Sequence, residues 1–218
     1  MSILSENQKW LLTVLSGEKS ICDNFYLTGG TALAEFYLEH RQSEDLDFFS
    51  EAEFDAAAIS VLLRQIQKTA RVKSFRYEQS FNRNLFFLEL ENDTIKTEFT
   101  YFPFPRIEKK KKIGDLYVDS LIDIAVNKIF TIYQNPRSRD FIDLYFILKK
   151  EKEWNIADLV NKAKVKFDHH LDYLQLGAQL MKVSELKDYP KLIIKINDQD
   201  WQSFFITEAM EFSSEVLE

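Results

Sequence analysis

The chain is poor in the residues that mark several classes of protein. Its 218 residues include one cysteine, five glycines and four prolines. No disulfide can form within a chain whose only cysteine is Cys22, and a single thiol suits a reducing cytosol. So few glycines and prolines argue against a linker-rich or disordered chain. These absences predict a folded, cytoplasmic protein.

Long apolar runs and an excess of positive charge are also missing. No uninterrupted apolar stretch approaches membrane-spanning length, and no basic segment leads into an apolar one at the N-terminus. A formal net charge of −7 argues against a protein that coats nucleic acid through bulk electrostatics. The local basic run 109–112 is predicted to be a solvated loop tip. Contact with an RNA backbone is the alternative.

Apolar residues make up 45% of the chain, and phenylalanine alone occurs 19 times, which is ample for a core. Hydrophobic periodicity predicts strands and helices in the first part of the chain and helices alone after it. The predicted fold class is therefore α+β: a mixed sheet flanked by helices over residues 1–115, followed by a helical domain over residues 116–218.

Two glycines and two aspartates carry the first chemical signal. Gly29 and Gly30 follow a short apolar run and precede a predicted helix over 31–40, for which Thr31 is the expected cap. Free N–H groups at such a helix start favour a phosphate. Fourteen residues beyond the glycines, Asp45 and Asp47 precede and enter a strand, so both carboxylates point to one face. Such a pair is typical of a hard-cation site, most readily Mg²⁺, which also holds substrate phosphates.

A third carboxylate and two charges in apolar positions extend the signal. Glu98 lies on the polar face of the predicted strand 94–102, where it either completes a three-carboxylate cluster or merely faces solvent. Lys128 and Asp140 fall within the apolar stripes of successive helices, where charges are rare. The two form a buried ion pair, or Lys128 holds a nucleotide phosphate that Asp140 positions. These two interpretations are compatible.

These segments resemble the AbiEii/AbiGii toxin family of the nucleotidyltransferase superfamily. The resemblance rests on Gly29-Gly30-Thr31, on the run 41–48, on the helix around Lys128 and on the Arg-Asp-x-x-Asp-Leu segment over 139–144. It covers roughly residues 20–150, and no motif is clear in the last third of the chain. The superfamily commonly has Asp at the third acidic position, where this chain offers Glu98.

The resemblance implies a minimal nucleotidyltransferase fold with a helical domain, and transfer of a nucleoside monophosphate from an NTP with release of pyrophosphate. It implies an acceptor such as the 3′ end of tRNA, a cognate antitoxin and a role in phage defence. Carried over by position, Asp45 and Asp47 are metal ligands, Gly29, Gly30 and Thr31 line the phosphate loop, and Lys128 and Asp140 match later motifs.

The hypothesis from the sequence is a two-metal mechanism. Asp45 and Asp47 hold Mg²⁺ on the triphosphate, and Glu98 shares a second ion that activates the acceptor hydroxyl. Arg41, Ser43 and Lys128 are expected to reach the triphosphate. Two alternatives stay open: a nucleotide-binding or protein-interaction module without turnover, and a kinase-like transfer of the γ-phosphate. The second lacks its Gly-rich loop and its His-Arg-Asp segment.

Overall fold

A seven-stranded mixed sheet organises the N-terminal part of the chain. The computed structural model describes residues 2–68 and 71–215. Residue 1, residues 69–70 and residues 216–218 of the predicted domains lie outside it. The strands are β1 Tyr26–Thr28, β2 Leu46–Ser50, β3 Ser74–Ser80, β4 Arg83–Glu89, β5 Thr94–Tyr101, β6 Lys111–Ile113 and β7 Leu116–Val118. Their order across the sheet is β3-β4-β5-β2-β1-β7-β6.

Two strand pairs are parallel, β2 with β5 and β1 with β7, and the other four are antiparallel. The helices of this part are α1 Glu6–Ser16, α2 Lys19–Asn24, α3 Gly29–Leu33 and α4 Ala56–Gln67. One face of the central strands is apolar, and its phenylalanines Phe48, Phe86 and Phe99 are buried. Because strand residues alternate between faces, the other face of β2 and β5 carries the charged residues.

The rest of the chain is helical. Its helices are α5 Leu121–Gln134, α6 Ser138–Lys150, α7 Ile156–Phe167, α8 Tyr173–Met181 and α9 Asp198–Glu215, with a 3-10 helix at Lys182–Ser184. Side chains of Ser120, Asn155 and Asp172 accept backbone N–H groups at the starts of α5, α7 and α8, which satisfies donors that the first turn leaves without a helical partner. The predicted fold class, a mixed sheet with helices followed by a helical part, is confirmed.

The chain forms two compact units. Unit 1 comprises residues 1–36, 43–104 and 109–119, and unit 2 comprises residues 37–42, 105–108 and 120–218. The units differ from the predicted domains 1–115 and 116–218 in three segments: residues 37–42 and 105–108 belong to unit 2, and residues 116–119 belong to unit 1. Backbone pairing anchors the first segment, since Gln42 N donates to Lys191 O at 2.9 Å.

Local structure departs from the sequence expectation at two places. The predicted helix 31–40 is an α-helix over Gly29–Leu33 that continues as a π-helical turn over Ala34–Leu38. The basic run predicted as a loop tip enters strand β6 at Lys111, at the edge of the sheet. Among the described residues, no helix combines the length and the apolar character needed to cross a membrane.

Candidate active site

Strand pairing brings two of the predicted acidic site residues, Asp47 and Glu98, together. Asp47 lies within β2, which is flanked by β1 and β5, and Asp45 directly precedes this strand. Asp47 is in register with Thr28 on β1 and with Glu98 on β5. Residues in register on neighbouring strands point to the same face, so the Asp47 and Glu98 side chains project from one face of the sheet.

Gly29 lies beside Asp47, and its lack of a side chain is required there. The backbone of Gly29 has a φ of +70°, and a Cβ atom at this position would come 2.5 Å from Oδ2 of Asp47. Both the left-handed conformation and the space are therefore available to glycine alone. The predicted turn at the glycine pair is confirmed for Gly29, and its immediate use is to admit the Asp47 carboxylate.

Thr31 does not cap the helix, and this prediction is wrong because α3 already begins at Gly29, with Thr28 before it. The buried Thr31 hydroxyl instead donates to the backbone oxygen of Asp45 and lies 2.8 Å from the Ser43 hydroxyl. Gln8 donates to the backbone oxygens of Ser43 and Glu44 at 2.8 and 2.9 Å. These bonds fix the segment that leads into β2. Thr31 and Ser43 therefore help to position the backbone at Asp45.

Two cationic side chains, those of Lys96 and Arg83, contact the predicted acidic site residues Asp45 and Glu98. Lys96 Nζ lies 2.6 Å from Oδ2 of Asp45. Arg83 binds Glu98 through two bonds, Nε to Oε1 at 2.7 Å and Nη2 to Oε2 at 2.5 Å. Burial by itself raises the pKa of Glu98, but the hydrogen bonds and charge of Arg83, with help from Thr100, leave this pKa below its usual value. Glu98 is thus held as a carboxylate.

A three-carboxylate metal cluster is not formed. Within residues 2–68 and 71–215, no group of three or more His, Cys, Asp or Glu residues is arranged to hold a metal ion. The bonds of Lys96 and Arg83 give the physical reason, since both oxygens of Glu98 and one of Asp45 are turned to protein cations. Asp45 and Asp47 offer hard oxygen donors, the ligand type that suits a divalent cation. Glu98, as it is bonded here, does not.

A second charged cluster lies inside unit 2. Lys128 on α5 contacts two aspartates of α6, with Nζ 2.8 Å from Oδ1 of Asp140 and 2.6 Å from Oδ2 of Asp143. The predicted Lys128–Asp140 ion pair is confirmed. Asp140 also accepts from Arg137 Nε at 2.7 Å. The two aspartates are one helical turn apart, so one lysine reaches both.

Asp143 is the centre of this cluster, and sequence reasoning did not select it as a site residue. Its fully buried carboxylate accepts from Arg41 Nε and Nη2 at 2.6 and 2.8 Å and lies 2.8 Å from His40 Nε2. Burial alone raises the pKa of Asp143, but the charges of Lys128 and Arg41 and the hydrogen bonds with Arg41 and His40 hold this pKa well below its usual value. The signal was present in the segment Arg-Asp-x-x-Asp, in which both aspartates fall on one helix face.

Arg41 therefore has a partner within unit 2. It was expected to reach a triphosphate, but its side chain is almost completely buried, with its guanidinium on Asp143 and on the backbone oxygen of Gln42. In this structure Arg41 ties the segment 37–42 to helix α6. Arg83 and Lys96 were also missed as contacts of the acidic residues, because only the strand register brings them there.

Comparison with known proteins places this architecture in a family. The model of the family described as nucleotidyl transferase AbiEii toxin, type IV TA system, matches residues 13–213. An uncharacterized protein of Aquifex aeolicus (strain VF5) is 33% identical over 196 residues, which cover 88% of this chain and 89% of that protein.

Two crystal structures from Helicobacter pylori share the fold. JHP933 has a TM-score of 0.60 at 19% identity and covers 97% of this chain and 94% of its own. A candidate nucleotidyltransferase has a TM-score of 0.63 at 22% identity and covers 99% of each chain. The sheet that carries Asp47 beside Gly29 thus belongs to a nucleotidyltransferase fold, and the chain belongs to the AbiEii nucleotidyl transferase toxin family.

Proposed function

We propose that this protein transfers a nucleoside monophosphate from an NTP to an acceptor hydroxyl and releases pyrophosphate. One observation carries the proposal: the Asp47 carboxylate projects beside Gly29, in register with Glu98, on a sheet of the nucleotidyltransferase type. This arrangement places two carboxylates in register on neighbouring strands, and like charges that close disfavour each other's ionised form unless a cation balances them. Such local conflicts are typical of functional sites.

Asp45 and Asp47 are the residues that would hold Mg²⁺ in this proposal. When bound, the ion would neutralise phosphate charge and stabilise the oxygens that enter and leave at the α-phosphorus. The chain itself contributes position. Thr31 and Ser43 hold the backbone at Asp45 in place, and Gly29 has no Cβ atom that would collide with the Asp47 carboxylate.

The charged cluster of unit 2 enters the proposal through the family resemblance. Lys128 is assigned the role of a phosphate-binding cation, and Asp140 the role of orienting it through their bond of 2.8 Å. Asp143 shares this task, because it holds the same ammonium group at 2.6 Å. Two carboxylates around one lysine fix the direction of its N–H groups. Arg41 supports the cluster by binding Asp143.

The acceptor proposed here is RNA, with the 3′ end of tRNA as the first substrate to test. The description of the matched family as a toxin of a type IV system supports a cellular role in toxin–antitoxin defence, including defence against phage, with a cognate antitoxin as partner. Expression in a bacterial host, with and without the neighbouring reading frame, tests this role. Growth arrest that the neighbour relieves would support it, and unaffected growth in both cases would contradict it.

A direct assay tests the chemistry. Each of the four NTPs, radiolabelled in the α-phosphate, is incubated with the protein, pooled tRNA and Mg²⁺, and both labelled RNA and released pyrophosphate are measured. Asp47→Asn is expected to lose at least about 100-fold in rate. This loss corresponds to about 2.8 kcal/mol of transition-state stabilisation, because each factor of ten is ~1.4 kcal/mol. Glu91→Gln, which changes an exposed acid of the same unit, is the control. Equal label incorporation by Asp47→Asn and the parent would refute the proposal.

A binding module without turnover is the second candidate. The observation in its favour is that Lys96 and Arg83 contact two of the three acidic residues, so the chain neutralises much of its own acidic cluster. Binding of ATP, GTP, CTP and UTP, measured with and without Mg²⁺ by calorimetry, separates the candidates when it is combined with the pyrophosphate assay. Binding without pyrophosphate favours the module, whereas a nucleoside diphosphate product would indicate a kinase-like reaction.

A further inference from the structure

The third acidic residue of the sheet is enclosed by a guanidinium group. Arg83 begins β4 and contacts Glu98 of β5 through Nε at 2.7 Å and Nη2 at 2.5 Å. Thr100 adds a hydroxyl bond of 2.7 Å to Oε1 of Glu98. Both oxygens of the carboxylate therefore accept from planar, paired donors, which is the strongest geometry that arginine and a carboxylate form.

The exposure of the two partners differs in a way that matters for a metal ion. The Glu98 side chain is 5% exposed and that of Arg83 is 49% exposed. The carboxylate is thus buried beneath a guanidinium that faces solvent. An ion from solution that binds Glu98 would have to compete with Arg83 for both carboxylate oxygens.

Displacement of Arg83 is unfavourable for two reasons. A guanidinium cannot leave by losing its proton, because it stays charged under all conditions in which proteins fold. A divalent ion on Glu98 would also lie next to that positive charge. The pKa of Arg83 is raised, mainly through its hydrogen bonds with Glu98 and further by the charges of Asp47 and Asp45, which places the guanidinium in the field of all three carboxylates.

We propose that Arg83 takes the place of a second cation, so that this protein binds one divalent ion, on Asp45 and Asp47, and none on Glu98. The inference rests on the proposed function for the identity of the site, but it concerns the number of ions and the role of Arg83. In this role Arg83 is a positioning residue: it keeps Glu98 ionised and bound, and it brings a fixed positive charge to the edge of the acidic cluster.

The glutamate at position 98 fits this assignment. Asp47 and Glu98 are in register on parallel strands, whereas Arg83 is in register with Thr100, two residues further along β5. The extra methylene of glutamate lengthens its reach toward such a diagonal neighbour. The departure from the aspartate expected at this position is then explained by a change of partner, from a metal ion to an arginine.

Counting bound Mn²⁺ tests the proposal. Mn²⁺ accepts the same oxygen ligands as Mg²⁺, and electron paramagnetic resonance measures the unbound ion in a titration of the metal-free full chain. The parent is expected to bind one ion per chain, and Asp47→Asn is expected to lose it. Arg83→Gln, which uncovers Glu98, is expected to bind two, and the double variant Arg83→Gln with Glu98→Gln is expected to return to one.

Glu98→Gln alone keeps the test decisive if Arg83→Gln does not fold. The proposal requires that Glu98→Gln bind as many ions as the parent, one per chain, although the loss of a negative charge beside Asp47 is expected to weaken the affinity. A parent that binds two ions and loses one in Glu98→Gln would overturn it, as would a folded Arg83→Gln that still binds one. The count needs no turnover, so its outcome stays distinct from failure of the transferase assay.

Discussion

A carboxylate occupies the space where Gly29 would otherwise carry a side chain. A Cβ atom at residue 29 would be 2.5 Å from Oδ2 of Asp47, and the backbone there has a φ of +70°. Glycine and aspartate are eighteen residues apart in sequence, and the antiparallel pairing of β1 with β2 brings them together. The glycine is thus part of the geometry of the acidic cluster.

Gly29→Ala is expected to destabilise the fold and disturb Asp47. Two effects add at this site: the strain of a positive φ, about 1 kcal/mol, and a steric overlap that costs about 1–3 kcal/mol more. Gly114→Ala is a matched control, because Gly114 has a φ of +61° but no described atom would lie within 4 Å of a Cβ added there. Urea unfolding of both variants measures the difference. Equal losses of unfolding free energy would show that the contact with Asp47 has no energetic weight.

Thr31→Val should reduce activity more than Thr31→Ser. Valine keeps the shape but removes the hydroxyl that holds Ser43 and the backbone of Asp45, so one buried oxygen loses a partner at a cost of about 1–3 kcal/mol. Serine keeps the hydroxyl and removes only a methyl group. We expect Thr31→Val to transfer nucleotide at least about tenfold more slowly than Thr31→Ser, a barrier change of ~1.4 kcal/mol. Comparable rates in the label-incorporation assay would contradict a positioning role.

Asp143→Ala is expected to destabilise the chain by about 3–5 kcal/mol, because it leaves buried cations without their carboxylate. Arg41 and Lys128 both contact Asp143, and their side chains are largely buried. Glu153→Ala removes an exposed acid of the same unit and should stay within about 0.5 kcal/mol of the parent. Chemical denaturation gives both values, and a small effect of Asp143→Ala would show that the cluster adds little to folding.

Stability is expected to fall as the pH drops below 3.8. Burial raises the pKa values of Asp140 and Asp143, but Lys128, Arg137 and Arg41 reverse this, so both lie below the usual 3.8 in the folded chain. The unfolded chain then takes up protons first. The stability from these groups is complete above 3.8 and is lost as the pH falls through the folded-state pKa values.

Urea midpoints measured from neutral pH downward check this expectation. The parent should lose stability steadily on the acid side, and Asp143→Asn, which is less stable at neutral pH, should show a shallower acid slope. A parent midpoint that stays constant or rises below pH 3.8 would mean that these carboxylates do not have lowered pKa values in the folded chain.

Part of the candidate site was predictable from local sequence. Asp45 and Asp47 share a strand face because side chains alternate with a period of two, and the sharp turn at Gly29 follows from the conformational range of glycine. Lys128 and Asp140 were detectable as charges within apolar stripes, since a helix places every third or fourth residue on one side. Each of these inferences needs only the geometry of a single element.

The partners of these residues required the tertiary structure. Arg83 and Glu98 are fifteen residues apart and meet because β4 pairs with β5, and Arg41 reaches Asp143 across 102 residues. No periodicity within one strand or helix encodes such contacts. The π-helical turn at Ala34–Leu38 likewise was not predicted, and its last two residues already belong to unit 2.

The amino-acid sequence by itself determined the class of elements, the positions of the acidic and glycine residues and, through its motifs, the family. The folded chain decided which charges neutralise which: Lys96 lies on Asp45, Arg83 on Glu98, and Lys128 between Asp140 and Asp143. The physical reason is that electrostatic energy depends on distance and burial, and both are set by how strands and helices pack and not by local conformation.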